Sequence, residues 1–218
     1  VRERAEKVAP FLRLDADPYP VVVDGKVKWV LDAYTTTNRY PYAQRANIDQ
    51  LTFGSGLNTE FNYVRNSVKI IVDAYDGSMT FYVVDKNDPI IATWQSVFPK
   101  LFTAIDTAPQ ELIKHFRYPE DLFRVQTNAY GRYQFNDATM FFNRNAAWSV
   151  AQAPAIEPEG VSATLSGNVS GDMNQLNTGD VRDASVARFE PYYTMFHAPL
   201  SAEQFGVFSM LRPFVPFS

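Results

Sequence analysis

Val27-Lys28-Trp29-Val30-Leu31-Asp32-Ala33-Tyr34 recurs downstream as Val68-Lys69-Ile70-Ile71-Val72-Asp73-Ala74-Tyr75. Five of the eight positions are identical, and the other three exchange one apolar residue for another. Side chains alternate faces along a β-strand. Trp29, Leu31 and Ala33 therefore share one apolar face, as do Ile70, Val72 and Ala74. The opposite faces carry Lys28, Val30, Asp32 and Tyr34, and Lys69, Ile71, Asp73 and Tyr75. An Asp-Gly pair adjoins each copy, Asp24-Gly25 before the first and Asp76-Gly77 after the second. Asp-Gly between alternating apolar runs signals a hairpin, because the turn needs residues tolerant of positive φ. The pattern predicts two hairpins, Tyr19–Asp24 with Lys26–Thr35 and Ser67–Tyr75 with Met79–Asp85. The repeated strand is second in one hairpin and first in the other, so a tandem hairpin duplication is disfavoured.

Helical signals fill the middle of the chain. The charged stretch from Val1 to about Leu14 reads as a first helix, with Val1, Ala5 and Val8 at helical spacing. Asp88-Pro89 opens a helix to about Phe98, with Asp as cap and Pro at the first position. Thr107 and Gln110 have capping-box spacing and predict a helix through about Phe116. Another starts near Pro119, with Glu120 and Asp121 where the helix dipole favours acids. Asn136 is the expected cap of a short helix ending near Arg144. Asn47 to Asn58, containing Gly54-Ser55-Gly56, reads as a flexible connection. From about 153 to 184 Pro, Gly, Ser, Thr and Asn dominate, and the stretch reads as a mobile surface excursion. Val186–His197 and Gly206–Leu211 close the fold as a strand pair. The expected class is α+β: antiparallel hairpins forming a mixed or antiparallel sheet with a central group of helices, in one domain spanning residues 1–218.

Composition bounds the function. Of 218 residues, 46% are hydrophobic and 20% charged, as in an ordinary globular chain. A net charge of −4 argues against a nucleic-acid partner. With no cysteine, disulfides, thiolate metal sites and cysteine nucleophiles are excluded. No apolar run approaches the roughly 18 residues that span a bilayer. The chain starts at Val1 without Met and stops in the apolar sequence Pro213-Phe214-Val215-Pro216. It reads as a fragment, and Phe205, Phe208, Phe214 and Phe217 as an edge covered by a partner or by more of the same chain.

Several groups carry candidate chemistry. His115 and His197 have no zinc-site spacing, and no Gly-x-Ser-x-Gly elbow or Gly-rich phosphate cradle accompanies them. Asp172, Asn174, Asn177 and Asp180 are spaced loosely like calcium ligands, without the Gly and distal Glu of an EF-hand. Asp32 and Asp73 form the best carboxylate pair, with Tyr34 and Tyr75 beside them. Arg117-Tyr118 begins an elbow before Pro119, and Arg and aromatic residues anchor interfaces. The tyrosines of Tyr40-Pro41-Tyr42 and Tyr192-Tyr193 are of a type that stacks on sugars. No catalytic set, cofactor motif or metal site emerges; the candidate binding residues are Asp32, Tyr34, Asp73, Tyr75, Arg117 and Tyr118.

Several stretches together resemble a known family. They are His115-Phe116-Arg117-Tyr118-Pro119-Glu120-Asp121-Leu122-Phe123-Arg124-Val125-Gln126, the run Trp29 to Thr37, Tyr63-Val64-Arg65-Asn66-Ser67-Val68-Lys69, Phe11-Leu12, Asp17-Pro18-Tyr19 and Pro213-Phe214-Val215-Pro216. In this order they resemble the bacterial set called Uncharacterised Protein Family 0182. The family commonly has Tyr-His where this chain reads Tyr133-Gln134. The resemblance implies a multi-span membrane protein with a membrane-embedded N-terminal part and a large soluble part outside the cytoplasm, to which this chain would belong. It implies no activity and transfers no catalytic residue. The expected role is a non-catalytic binding domain, its partners other envelope or membrane proteins or the rest of its own chain. The alternative is a cell-envelope hydrolase or transferase using Asp32 and Asp73, with or without a metal.

Overall fold

The structure, a computed structural model, describes residues 1–48, 51, 54–133, 135–143, 147–153, 188–197 and 206–216. Two compact units divide the chain, Val1–Gln126 and Thr127–Ser218. The class is α+β with a mixed sheet. Most of the 153–184 excursion and the loose Asp and Asn set within it lie outside the described residues.

The first unit is built on the repeated strands. β1 (Arg13–Leu14), β2 (Tyr19–Val23), β3 (Lys26–Thr37), β4 (Tyr63–Asp73) and β5 (Met79–Val83) pair antiparallel; β6 (Phe102–Ala104) adds parallel to β5. Asp24 and Gly25 take φ of 51° and 72°, the positive values that a tight hairpin turn needs. β1 and β2 both lie along one side of β3, and β4 lies along the other. The two repeat copies pair directly with each other. Val30 sits opposite Ile71, its own counterpart, while Lys28 faces Asp73 and Asp32 faces Lys69. The repeat is therefore a local two-fold centred on Val30 and Ile71, which an antiparallel pair of like strands permits. Between Val68 and Arg65 the register slips, so β4 carries one extra residue against β3.

Both faces of this sheet are covered, which accounts for the long buried runs in β3 and β4. Leu31, Ala33, Val68, Ile70, Val72 and Phe81 pack with Ala5 of α1 (Arg2–Val8) and Ile91 of α2 (Pro89–Val97). On the other face Val21, Val23, Val30 and Ile71 meet Ala108 and Leu112, the latter from α3 (Gln110–Lys114). Tyr34, Leu57 and Phe61 pack with Leu122 of α4 (Glu120–Tyr133), the helix in which the unit boundary falls. Trp29 is half-buried against the first cluster.

Four local expectations are corrected. The first helix ends at Val8, because Pro10 disfavours helical backbone at Ala9, and Arg13–Leu14 becomes a strand. Thr107 caps nothing; its hydroxyl donates to the Ala104 carbonyl inside a short 3-10 turn, and Pro109 stands at the start of α3. Asp137, rather than Asn136, accepts the Met140 N–H at the start of α5 (Ala138–Asn143). Within the expected flexible connection, Ser55 and Leu57 are buried, and the Gly56 N–H donates to the Leu14 carbonyl at 2.8 Å.

The second unit holds two antiparallel pairs, β7 (Trp148–Val150) with β10 (Phe214–Pro216) and β8 (Tyr192–Phe196) with β9 (Val207–Leu211). Arg188 donates to the Val150 carbonyl, and Arg212 to Thr127, Asn128 and the Phe189 carbonyl. The closing strand pair is thus shorter than expected, because Arg188 makes only an isolated bridge to Gln152.

Candidate functional site

The extra residue in β4 has a consequence for side chains. Regular alternation separates positions three apart, yet Asn66 and Lys69 line the same cleft. Arg65, Asp85, Arg117, Tyr118, Pro119 and Gln126 complete most of its wall. The cleft is open, about 530 Å³ in volume, and lies within the first unit. Pro119 and the acids Glu120 and Asp121 start α4, so the Arg117-Tyr118 elbow is held at a helix entry.

Lys69 forms the floor. The residue is only 5% exposed, and its ammonium pairs with the buried Asp32 carboxylate and donates to the Arg117 carbonyl at 3.0 Å. It also stands 5.1 Å from the Phe116 ring centre. Burial pushes the Asp32 carboxyl above its ordinary value despite the opposing pull of Lys69. The Arg117 guanidinium lies 4.3 Å over the Tyr19 ring, and its backbone N–H donates to the Tyr19 hydroxyl at 3.0 Å. Arg65 donates to Asp85 at 2.7 Å, and the Tyr118 hydroxyl to Gln126 at 2.6 Å. The wall is therefore built of pre-positioned donors and one aromatic ring.

Two further polar centres brace this region. The Asp15 carboxylate accepts from the Tyr34 hydroxyl, the Asp121 N–H and the Asp17 N–H. Burial, then the neighbouring Asp121 carboxylate, push Asp15 up to about 7. Arg124 holds Asp121 in turn. Asp88, the buried cap of α2, accepts from Thr35, Ser67, Tyr63 and the Ile90 N–H. Burial alone would raise its carboxyl, but these hydrogen bonds outweigh it and hold the group below its usual value.

The six candidate residues separate accordingly. Arg117 and Tyr118 stand in the cleft, and Asp32 lies behind it through Lys69. Tyr34 is fully buried on Asp15. Asp73 ends β4 and accepts the N–H of Tyr75 in the following turn, where the Tyr75 ring is 97% exposed. Asp73 and Asp32 sit four residues apart along the paired strands, roughly 13 Å. That spacing is too long for one acid-base pair or one shared cation. Among the described residues, no group of three or more His, Cys, Asp or Glu could hold a metal. His115 and His197 are both exposed, one ending α3 and the other following β8. Tyr40 stacks on Tyr63 and Tyr193 on Phe208. Sequence reasoning missed Arg65 and Lys69 as site residues. The repeat did mark Lys69, but only the β3 register reveals that it is buried on Asp32.

Among the described residues, no helix is long and apolar enough to cross a membrane. No solved structure matches the chain. A UPF0182 protein of Methanospirillum hungatei is 38% identical over 216 residues, covering 99% of this chain and 20% of that protein. A UPF0182 protein of Rhodococcus jostii is 50% identical over 164 residues, 72% of this chain and 16% of its own length. One from Mycobacterium bovis is 46% identical over 157 residues, 70% of this chain and 16% of its own. The chain thus spans a fifth or less of the length of these curated relatives. The model of an uncharacterised protein family (UPF0182) matches residues 1–218, and the chain belongs to that family.

Proposed function

We propose that this chain is a binding module within the soluble, extracytoplasmic part of a membrane protein. It recognises another protein or an envelope component without transforming it. The observation that carries this reading is the Arg117-Tyr118 cleft, where an arginine and a tyrosine stand beside a buried lysine on a rigid sheet. Arg and Tyr are the residue types that anchor interfaces, and a ring fixed by a hydrogen bond loses little freedom on binding. The membrane setting rests on the family resemblance of the sequence motifs. Affinity purification of the full-length protein from membranes tests the reading. A reproducible companion that is lost in Tyr118→Ala, with expression unchanged, is the expected result. Capture unaltered by Tyr118→Ala would overturn it.

A further inference from the structure

We infer that the cleft binds an oxyanion of its ligand, a carboxylate or a phosphate, between Lys69 and Arg65; this deepens the binding role proposed above and rests on it. An ammonium taken out of water needs its donors satisfied, and a lysine has three. Asp32 accepts one and the Arg117 carbonyl a second. Among the described residues the third meets no oxygen or nitrogen acceptor, only the face of the Phe116 ring with its centre 5.1 Å away, and the Lys69 side chain lines the open cleft. Arg65 lies across the same cleft with one of its nitrogens on Asp85. That pair is partly exposed, with 42% of the Arg65 side chain accessible, and water screens it. The rest of the guanidinium fork has the geometry for two parallel hydrogen bonds to a carboxylate or phosphate.

Asn66 and Gln126 add amide side chains to the lining. The β4 register slip is what brings Asn66 to the cavity that Lys69 lines, three positions away.

The test uses the isotope-labelled 218-residue chain, titrated with sodium phosphate and separately with sodium acetate. Sodium chloride at equal ionic strength is the control. Saturable backbone-amide shifts at Asn66, Lys69 and Tyr118 with at least one oxyanion, absent with chloride, are expected. Arg65→Ala, at a partly exposed position, should weaken that binding about tenfold or more. The paired change Asp32→Asn with Lys69→Gln keeps a neutral hydrogen-bonded couple in the core and should abolish it. No saturable shift with either anion, or unchanged affinity in both variants, would overturn the inference. Companion capture that still depends on Tyr118 would then leave the broader binding role standing. Oxyanion binding without Tyr118-dependent capture would refute the broader role instead.

Discussion

The Asp15 carboxyl, held by Tyr34 and beside Asp121, ties stability to pH in the direction opposite to that of an ion-paired acid. Its folded value of about 7 lies above the ordinary 3.8, so the folded state holds a proton that the unfolded chain releases. Stability from this group is complete below about pH 4 and is lost as pH rises to about 7, by up to about 1.4 kcal/mol per pH unit. Chemical denaturation should therefore show a more stable protein at pH 5 than at pH 7.5. Asp15→Asn should flatten the trend. It should not erase it, because Asp32 is raised as well and adds a slope of the same sign. A trend of equal steepness in Asp15→Asn would refute the assignment. Asp88 acts in the other sense. Its lowered carboxyl contributes stability above its usual 3.8 that is lost as pH falls through its folded value, outside the window above. Asp88→Ala strands the donors on Thr35, Ser67 and Tyr63 and uncaps α2, and should cost roughly 2–4 kcal/mol at pH 7 by urea denaturation.

At the scale of elements, the paired repeat strands carry the core. Leu31, Ile70 and Val72 are all 2% exposed or less, and each such burial is worth roughly 1.5–3 kcal/mol. Val72→Asp should leave the chain without a cooperative melting transition; a soluble variant melting near the parent temperature would overturn the sheet assignment. Gly56→Ala should lower stability by roughly 1–3 kcal/mol, since a Cβ there would stand 2.5 Å from the Leu14 nitrogen. The two long hairpins were legible because Asp-Gly turns and two-residue alternation are local signals. β1 and β6 were not, being two and three residues long and defined only by the neighbours they pair with. The Thr107–Gln110 spacing misled for a similar reason: Pro109 between them sets the backbone before any cap forms. Arg117 and Tyr118 could be read as a recognition elbow from their own types. Lys69 on Asp32, and Asp15 against Asp121, could not, because those contacts join residues far apart in the chain.

Across the whole molecule, the chain forms two compact units and belongs to a family in which it matches a fifth or less of the length of these relatives. The first unit contains the cleft, on which the proposed binding role centres. Within the same unit, Tyr75 supplies an internal comparison, an aromatic ring fully presented to solvent on the β4–β5 turn and outside the lining of that cleft. The decisive measurement is photocrosslinking in the full-length protein in membranes, with a benzophenone amino acid placed at Tyr118 or, in parallel, at Tyr75. A discrete adduct from position 118 that disappears on Arg117→Ala, and none from position 75, is the predicted result. Equal adducts from both positions, or none from position 118, would contradict the assignment of the cleft as the recognition site.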